Sequence, residues 1–179
     1  MKKYILETER LLLRPWQEED LEDLYTYAKV AGVGEMAGWT HHKNMDTSRK
    51  VLNVFIDLPD CFALVDKKDQ KVIGSIALEE EDLLRLDGKN GRNLGYVLNK
   101  DYWNRGLMPE AVEKILYYAF KIKKYDYIMV SHFIENSRSR RVIEKAGFNY
   151  LKDINIRSKY QTIEKAKIYI LENEDINGQ

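Results

Sequence analysis

The spacing of apolar and polar positions changes several times along the chain, and each change marks an element. RLLLRPW (10–16) has the length of a strand. It is followed by QEEDLEDLYTYA, in which Leu21, Leu24, Tyr25 and Ala28 recur at i, i+3, i+4 and i+7, the spacing of an amphipathic helix. After a Gly-rich loop to His42, Asn44 or Asp46 is placed to cap a second helix with Val51, Leu52, Phe55 and Leu58 on one face. The period then shortens. CFALV and KVIGSIAL are short β-branched runs around DKKDQ, which predicts a hairpin with a five-residue loop. NLGYVL is a third run, reached through the polar stretch EEEDLLRLDGKNGR.

A long helix is predicted from near Gly106 to about Ile122, with Ala111, Ile115, Leu116, Ala119 and Phe120 facing inward. YIMVSHF reads as the next strand, SRSRRVIEKA as the next helix, and FNYLKDI and AKIYIL as closing strands. The predicted order is therefore β-α-α-β-β-β-α-β-α-β-β. Consecutive hairpins precede a single strand-helix-strand crossover, so the class is mixed α/β (α+β), a mostly antiparallel sheet flanked by helices. No linker, repeat or low-complexity tract divides the 179 residues, which predicts one domain over 1–179.

Composition narrows the partners. Lys plus Arg and Asp plus Glu are 29 each, so no global positive field draws the chain to nucleic acid or an anionic membrane, and an anion site has to be local. No apolar run approaches the roughly 18 residues that span a bilayer, and MKKYILETERLLLR is too charged for a signal-peptide core. A cytoplasmic location is expected. The single cysteine, Cys61, opens an apolar run and reads as core. His41 and His42 adjoin and His132 lies far off, so no zinc spacing is visible and no metal is expected. Gly32, Gly34 and Ala37 match a dinucleotide fingerprint only nominally, because they follow a helix rather than a strand.

Two segments are placed to carry chemistry. In NLGYVLNKDYWNRGLMPEAVEKIL a strand leads through a loop into a helix start. Free N–H groups and the positive end of a helix dipole bind phosphate there if backbone can come close, which Gly106 permits. Pro109 has no amide, so the donors would belong to Asn104, Arg105, Gly106, Leu107 and Met108. The other account of the same residues is an ordinary strand-to-helix turn. In ENSRSRRVIEKAGF, Asn136 is placed as an N-cap, Gly147 as the stop, and the arginines as a solvated face. That role leaves Asn136 and Ser139 free to meet a ligand between two parallel strands as well.

GYVLNKDYWNRGLMPEA followed by ENSRSRRVIEKAGF resembles the acetyl-CoA-binding half of the GNAT acyltransferases. LETERLLLRPWQEEDLEDLY is similar to the opening of their ribosomal-protein alanine acetyltransferase (RimJ/RimL-like) branch. The resemblance spans nearly the whole chain and implies a splayed parallel strand pair between NLGYVL and YIMVSHF. It also implies acetyl-CoA as co-substrate, pantetheine along Tyr96, Val97 and Leu98, and pyrophosphate at the Gly106 helix start. The chain departs from the family pattern at three positions. Met108 stands where a second small residue is usual, Ile143 where many relatives have a Tyr acid, and Asn93 where many have a Glu.

Ser139 is then the nearest acid, and Glu79, in the acidic stretch Glu79, Glu80, Glu81 and Asp82, is the candidate base. Trp39 and His41 are candidates for the substrate mouth. A backbone N–H near Tyr96 or Val97 could polarise the acyl carbonyl. Three activities share these motifs: acetylation of a protein or peptide α-amine, acetylation of a small amine such as a polyamine or aminoglycoside, and acyl-CoA binding without chemistry. Oligomeric state is left open, a homodimer through the terminal strands being one arrangement the pattern allows.

Overall fold

The computed structural model describes residues 3–80, 86, 88–157 and 162–173. Eight strands form one sheet: β1 (Leu6–Glu7), β2 (Leu11–Pro15), β3 (Cys61–Asp66), β4 (Lys71–Glu80), β5 (Gly91–Leu98), β6 (Tyr127–Phe133), β7 (Asn149–Arg157) and β8 (Ile163–Glu172). Their order across the sheet is β1-β2-β3-β4-β5-β6-β8-β7. Neighbours are antiparallel except β5 and β6, which are parallel. Four α-helices flank it, α1 (Leu21–Ala28), α2 (Met45–Asp57), α3 (Leu107–Tyr117) and α4 (Ser137–Lys145). The β5–α3–β6 crossover is the long connection that a parallel pair requires.

Alternation along β3 divides the core. Phe62 and Leu64 join Ile115, Ala111 and Val112 of α3 on one face, while Cys61, Ala63 and Val65 meet Leu24 and Tyr27 of α1 and Leu52 of α2 on the other. The fold class is the expected one, with differences at the ends of elements. The two-residue β1 adds an eighth strand to the seven predicted. The β3–β4 loop is four residues, not five, because Asp66 pairs with Lys71. The Asp66 carboxylate accepts from the N–H groups of Lys68 and Asp69 at 2.9 Å, which fixes the turn.

Asn44 caps α2, accepting from Thr47 N–H at 3.0 Å. Leu58 lies just past that helix in extended backbone and is exposed, so it is not on its apolar face. The α3 segment ends its α-helical part at Tyr117 and continues as a π-helical turn, Tyr118–Ile122. Lys123 N–H reaches Tyr118 O at 2.9 Å across that wider turn. Glu79 and Glu80 are the last residues of β4 rather than part of a turn; Glu81 and Asp82 lie outside the described residues.

Candidate functional site

The parallel pairing of β5 and β6 lasts three rungs, Gly91 with Tyr127, Arg92 with Ile128 and Asn93 with Met129. Beyond them β5 stays with β4 as far as Leu98 opposite Gly74, while β6 stays with β8 as far as Phe133 opposite Ala166. The strands diverge into a V, and among the described residues the edge of β5 that β6 leaves has no neighbouring strand. A cleft of about 540 Å³ occupies the V, the size of a pocket for a substantial small molecule.

At one end of the cleft the chain leaves β5 through a tight loop into α3. Gly106, the N-cap, has φ 76°, and Asn104 has φ 61°, both left-handed. Leu107 and Met108 are buried in the core cluster and also border the cleft. The N–H groups of these two residues have no carbonyl four residues back within the helix, and Pro109 has none to offer. The loop is tied from behind by the β1–β2 turn. Arg10 donates to Arg105 O at 2.8 Å and to the Glu110 carboxylate at 2.7 Å, and Thr8 Oγ1 donates to the same carboxylate at 2.6 Å. Burial opposes ionisation of Glu110, but the Thr8 and Arg10 donors hold it below its ordinary value.

The start of α4 forms the facing wall. Asn136 Oδ1 accepts from Ser139 N–H at 3.1 Å, and its Nδ2 donates to Met36 O at 3.1 Å, tying the helix to the 3₁₀ turn Glu35–Ala37. The Ser139 hydroxyl lies 2.8 Å from that of Tyr96. Ile143 is fully buried, does not line the cleft and offers it no polar group. Arg138 stacks on Trp103 at 3.9 Å, and Arg141 and Lys145 join it on the lining. The arginines of this helix are therefore not simply a solvated face. Positions 138, 141 and 145 recur at i, i+3 and i+7, a stripe of cations that the sequence spacing already contains.

The opposite face of β5 makes a chamber with both apolar and polar walls. Asn93, Gly95 and Val97 stand directly across from Glu79, Ala77 and Ser75 of β4, over Cys61 of β3 and under Val33, Met36, Trp39 and Phe55. A Cβ built on Gly95 would meet nothing within 4 Å, so the strand opens onto free space there. Asn93 Oδ1, at the fork of the V, is shut from solvent and has no hydrogen-bond partner among the described residues. Burial and the nearby Glu79 carboxylate push the Cys61 thiol up to about 12, which leaves it a protonated part of the floor rather than a nucleophile.

The cleft thus gathers Trp39, Glu79, Tyr96, Val97, Leu98, Asn104, Gly106, Leu107, Met108, Asn136 and Ser139. Two sequence candidates are not in the lining. Arg105, expected for its backbone amide, sits in the loop between Asn104 and Gly106 with its guanidinium over the Tyr102 ring at 4.8 Å. His41 binds Glu35 at 2.8 Å through its ring and is likewise outside. Burial opposes ionisation of Glu35, but the His41 ring and the N–H groups of His41 and Gly32 bring it down to about 2. That pair shapes the 3₁₀ turn roofing the chamber. No cluster of His, Cys, Asp or Glu that could hold a metal occurs among the described residues.

Residues 10–149 match the family described as Acetyltransferase (GNAT) domain. A relative from Bacillus licheniformis described as the uncharacterized N-acetyltransferase p20 is 28% identical over 149 residues, covering 80% of this chain and 81% of its own. In structure, a GNAT-family acetyltransferase from Bacillus anthracis has a TM-score of 0.83 at 23% identity, covering 96% of this chain and 99% of that one. The ribosomal-protein-S5-alanine acetyltransferase of Vibrio fischeri has a TM-score of 0.76 at 19% identity, covering 96% and 98%. With that match running from β2 through α4, and the same fold recurring in solved acetyltransferases, the chain belongs to the GNAT family of N-acetyltransferases.

Proposed function

We propose that the chain transfers an acetyl group from acetyl-CoA to a primary amine, with the α-amine of a protein or peptide as the preferred acceptor. The observation that carries this reading is the V between β5 and β6, which joins a left-handed helix start, a cationic helix face and a chamber holding the Glu79 carboxylate in one cleft. These features fit the coenzyme. The N–H groups of Leu107 and Met108 suit its pyrophosphate, the unpaired edge of β5 suits the amides of pantetheine, and Arg138, Arg141 and Lys145 suit its outer phosphate. Bound there, acetyl-CoA supplies an activated thioester.

The chain's own residues divide the remaining work. Gly95 leaves room for the acceptor to approach the fork, and Glu79, across from Asn93, is the nearest carboxylate in the lining to take the amine proton. Backbone N–H groups around Tyr96 and Val97 would polarise the carbonyl, and Ser139 Oγ–H would receive the leaving sulfur. A thiol has a pKa of about 8.5, so its anion departs with little acid assistance, and positioning supplies most of the acceleration. The α-amine reading rests on the alanine acetyltransferase among the structural neighbours and on the resemblance of residues 6–25.

Thiol release from acetyl-CoA, followed with a panel of N-terminal peptides, polyamines and aminoglycosides, tests the reading. Turnover with peptides supports it. Turnover with small amines alone moves the acceptor class, and coenzyme binding without release for any amine makes the chain a binding module. For the cationic face, the double change Arg141→Ala with Lys145→Ala is expected to weaken acetyl-CoA binding about tenfold at low salt and less at high salt. Calorimetry at two ionic strengths checks this, and an unchanged affinity at low salt would return these residues to solvent.

A further inference from the structure

Ser139 has been given the task of meeting the leaving sulfur, yet a serine hydroxyl is a rotor that can aim its hydrogen in several directions. Its surroundings restrict that choice. The Tyr96 hydroxyl sits 2.8 Å from Ser139 Oγ and 3.3 Å from Ser139 O, so it touches both polar oxygens of that residue. Tyr96 comes from β5 and Ser139 from α4, on opposite arms of the V, and both line the cleft. The shorter contact has the length of a good O–H···O bond, the longer one that of a weak one.

We propose that Tyr96 is a positioning residue for acyl transfer, its hydroxyl donating to Ser139 Oγ so that the Ser139 hydrogen is turned into the cleft toward the leaving sulfur. The inference rests on the acetyl transfer assigned above. In the step, the acceptor nitrogen bonds to the acyl carbon and the carbon–sulfur bond breaks with its electron pair staying on sulfur. The proton lost by nitrogen goes to Glu79 or to solvent. Ser139 hydrogen-bonds to the developing thiolate and Tyr96 hydrogen-bonds to Ser139, and both hydroxyl protons remain on their oxygens. A chain of two donors polarises in the same sense, so each bond strengthens the next as charge grows on sulfur. Burial, which outweighs the opposing hydrogen bond with Ser139, raises the Tyr96 phenol to about 12, so it stays a donor through the neutral range.

Tyr96→Phe deletes only the hydroxyl. The expected result is a roughly tenfold fall in kcat, with the KM for acetyl-CoA held within twofold. The deficit should shrink when the acetyl group is offered on a more acidic thiol, whose anion needs less help. Ser139→Ala should show the same leaving-group dependence, and the double variant should be no slower than Ser139→Ala alone. A deficit independent of the leaving thiol, additive losses, or unchanged turnover with chemistry rate-limiting would overturn the role.

Calorimetry adds a readout without an acceptor. The wild type should come to prefer coenzyme A over its desulfo analogue as pH rises through the thiol pKa, and Tyr96→Phe should lose most of that preference. If the wild type shows no such preference, the hydrogen-bond chain to sulfur is wrong even if Tyr96→Phe does not fold. If instead neither form of the coenzyme binds, the acetyl-CoA assignment itself fails.

Discussion

Asp60→Ala is expected to lower the unfolding free energy by about 3 kcal/mol, the cost of breaking a buried ion pair and stranding its donors. Asp60 lies just ahead of β3 and is buried. Its carboxylate accepts from Tyr118 Oη at 2.7 Å, from Tyr125 Oη at 2.9 Å and from Lys123 Nζ at 3.0 Å. Those donors come from the π-helical turn after α3 and from the link to β6, so one carboxylate pins the whole crossover against the sheet. Burial and the neighbouring carboxylate push both phenols above their ordinary values. Removing the acceptor leaves two buried hydroxyls and a half-buried ammonium facing a cavity.

A domain of this size would lose roughly 2–4 °C of melting temperature per kcal/mol, so a fall of about 6–12 °C is expected. Asp60→Asn keeps one acceptor oxygen and should cost less than half as much. Coenzyme affinity of the folded fraction should not change. The cluster sits at the far end of α3, whose 11 residues put about 16 Å between it and Gly106. Parallel melts and calorimetry check both statements, and a full-affinity variant with an unaltered melt would mean that the carboxylate carries no net stabilisation.

The same cluster shows where sequence reasoning stops. The apolar period of α3 was legible because Ala111, Ile115, Leu116 and Ala119 repeat on one face, and all four are buried. The switch to π geometry was not, because nothing in residues 118–122 departs from helical spacing; the hydroxyl–carboxylate contact to Asp60, some sixty residues earlier, joins elements that pattern reading treats separately. Turn chemistry was legible at Gly106, and at the start of α2 to within two candidates, of which Asn44 rather than Asp46 is the cap.

Side-chain aim was the harder part of the site. Glu79 was named as a candidate base from an acidic stretch, but its place in β4 opposite Asn93 depends on strand register. His41 was placed at the mouth by proximity to Trp39, yet a carboxylate six residues earlier holds its ring away. The α4 cations read as solvated because charge at helical spacing is usually surface. Only the divergence of β5 from β6 turns that surface into a cleft wall. Tyr96 was read for its backbone, since strand alternation says which face a side chain takes but not that its hydroxyl meets a helix more than forty residues on.

Gly106→Val is expected to raise the dissociation constant for acetyl-CoA at least tenfold, or about 1.4 kcal/mol, and to destabilise the fold as well. Two separate causes act at this residue. At φ 76° a side chain is strained whatever its surroundings, by about 1–2 kcal/mol for an ordinary residue and more for a β-branched one. Space within the chain itself is not the obstacle, since a Cβ would meet only the Arg10 guanidinium, at 3.5 Å. A steric cost would add to this on binding if the pyrophosphate sits at the start of α3, because the added methyls would narrow its approach to the amides there.

Asn separates the causes, because it tolerates the left-handed region better than other non-glycine residues while still carrying a side chain. Gly106→Asn should melt closer to the wild type than Gly106→Val, yet still bind the coenzyme several-fold more weakly. If Asn restores both stability and affinity, backbone conformation alone explains the glycine. If Val folds and binds with an unchanged constant, the pyrophosphate does not sit at the start of α3, and the cations of α4 would have to hold it alone.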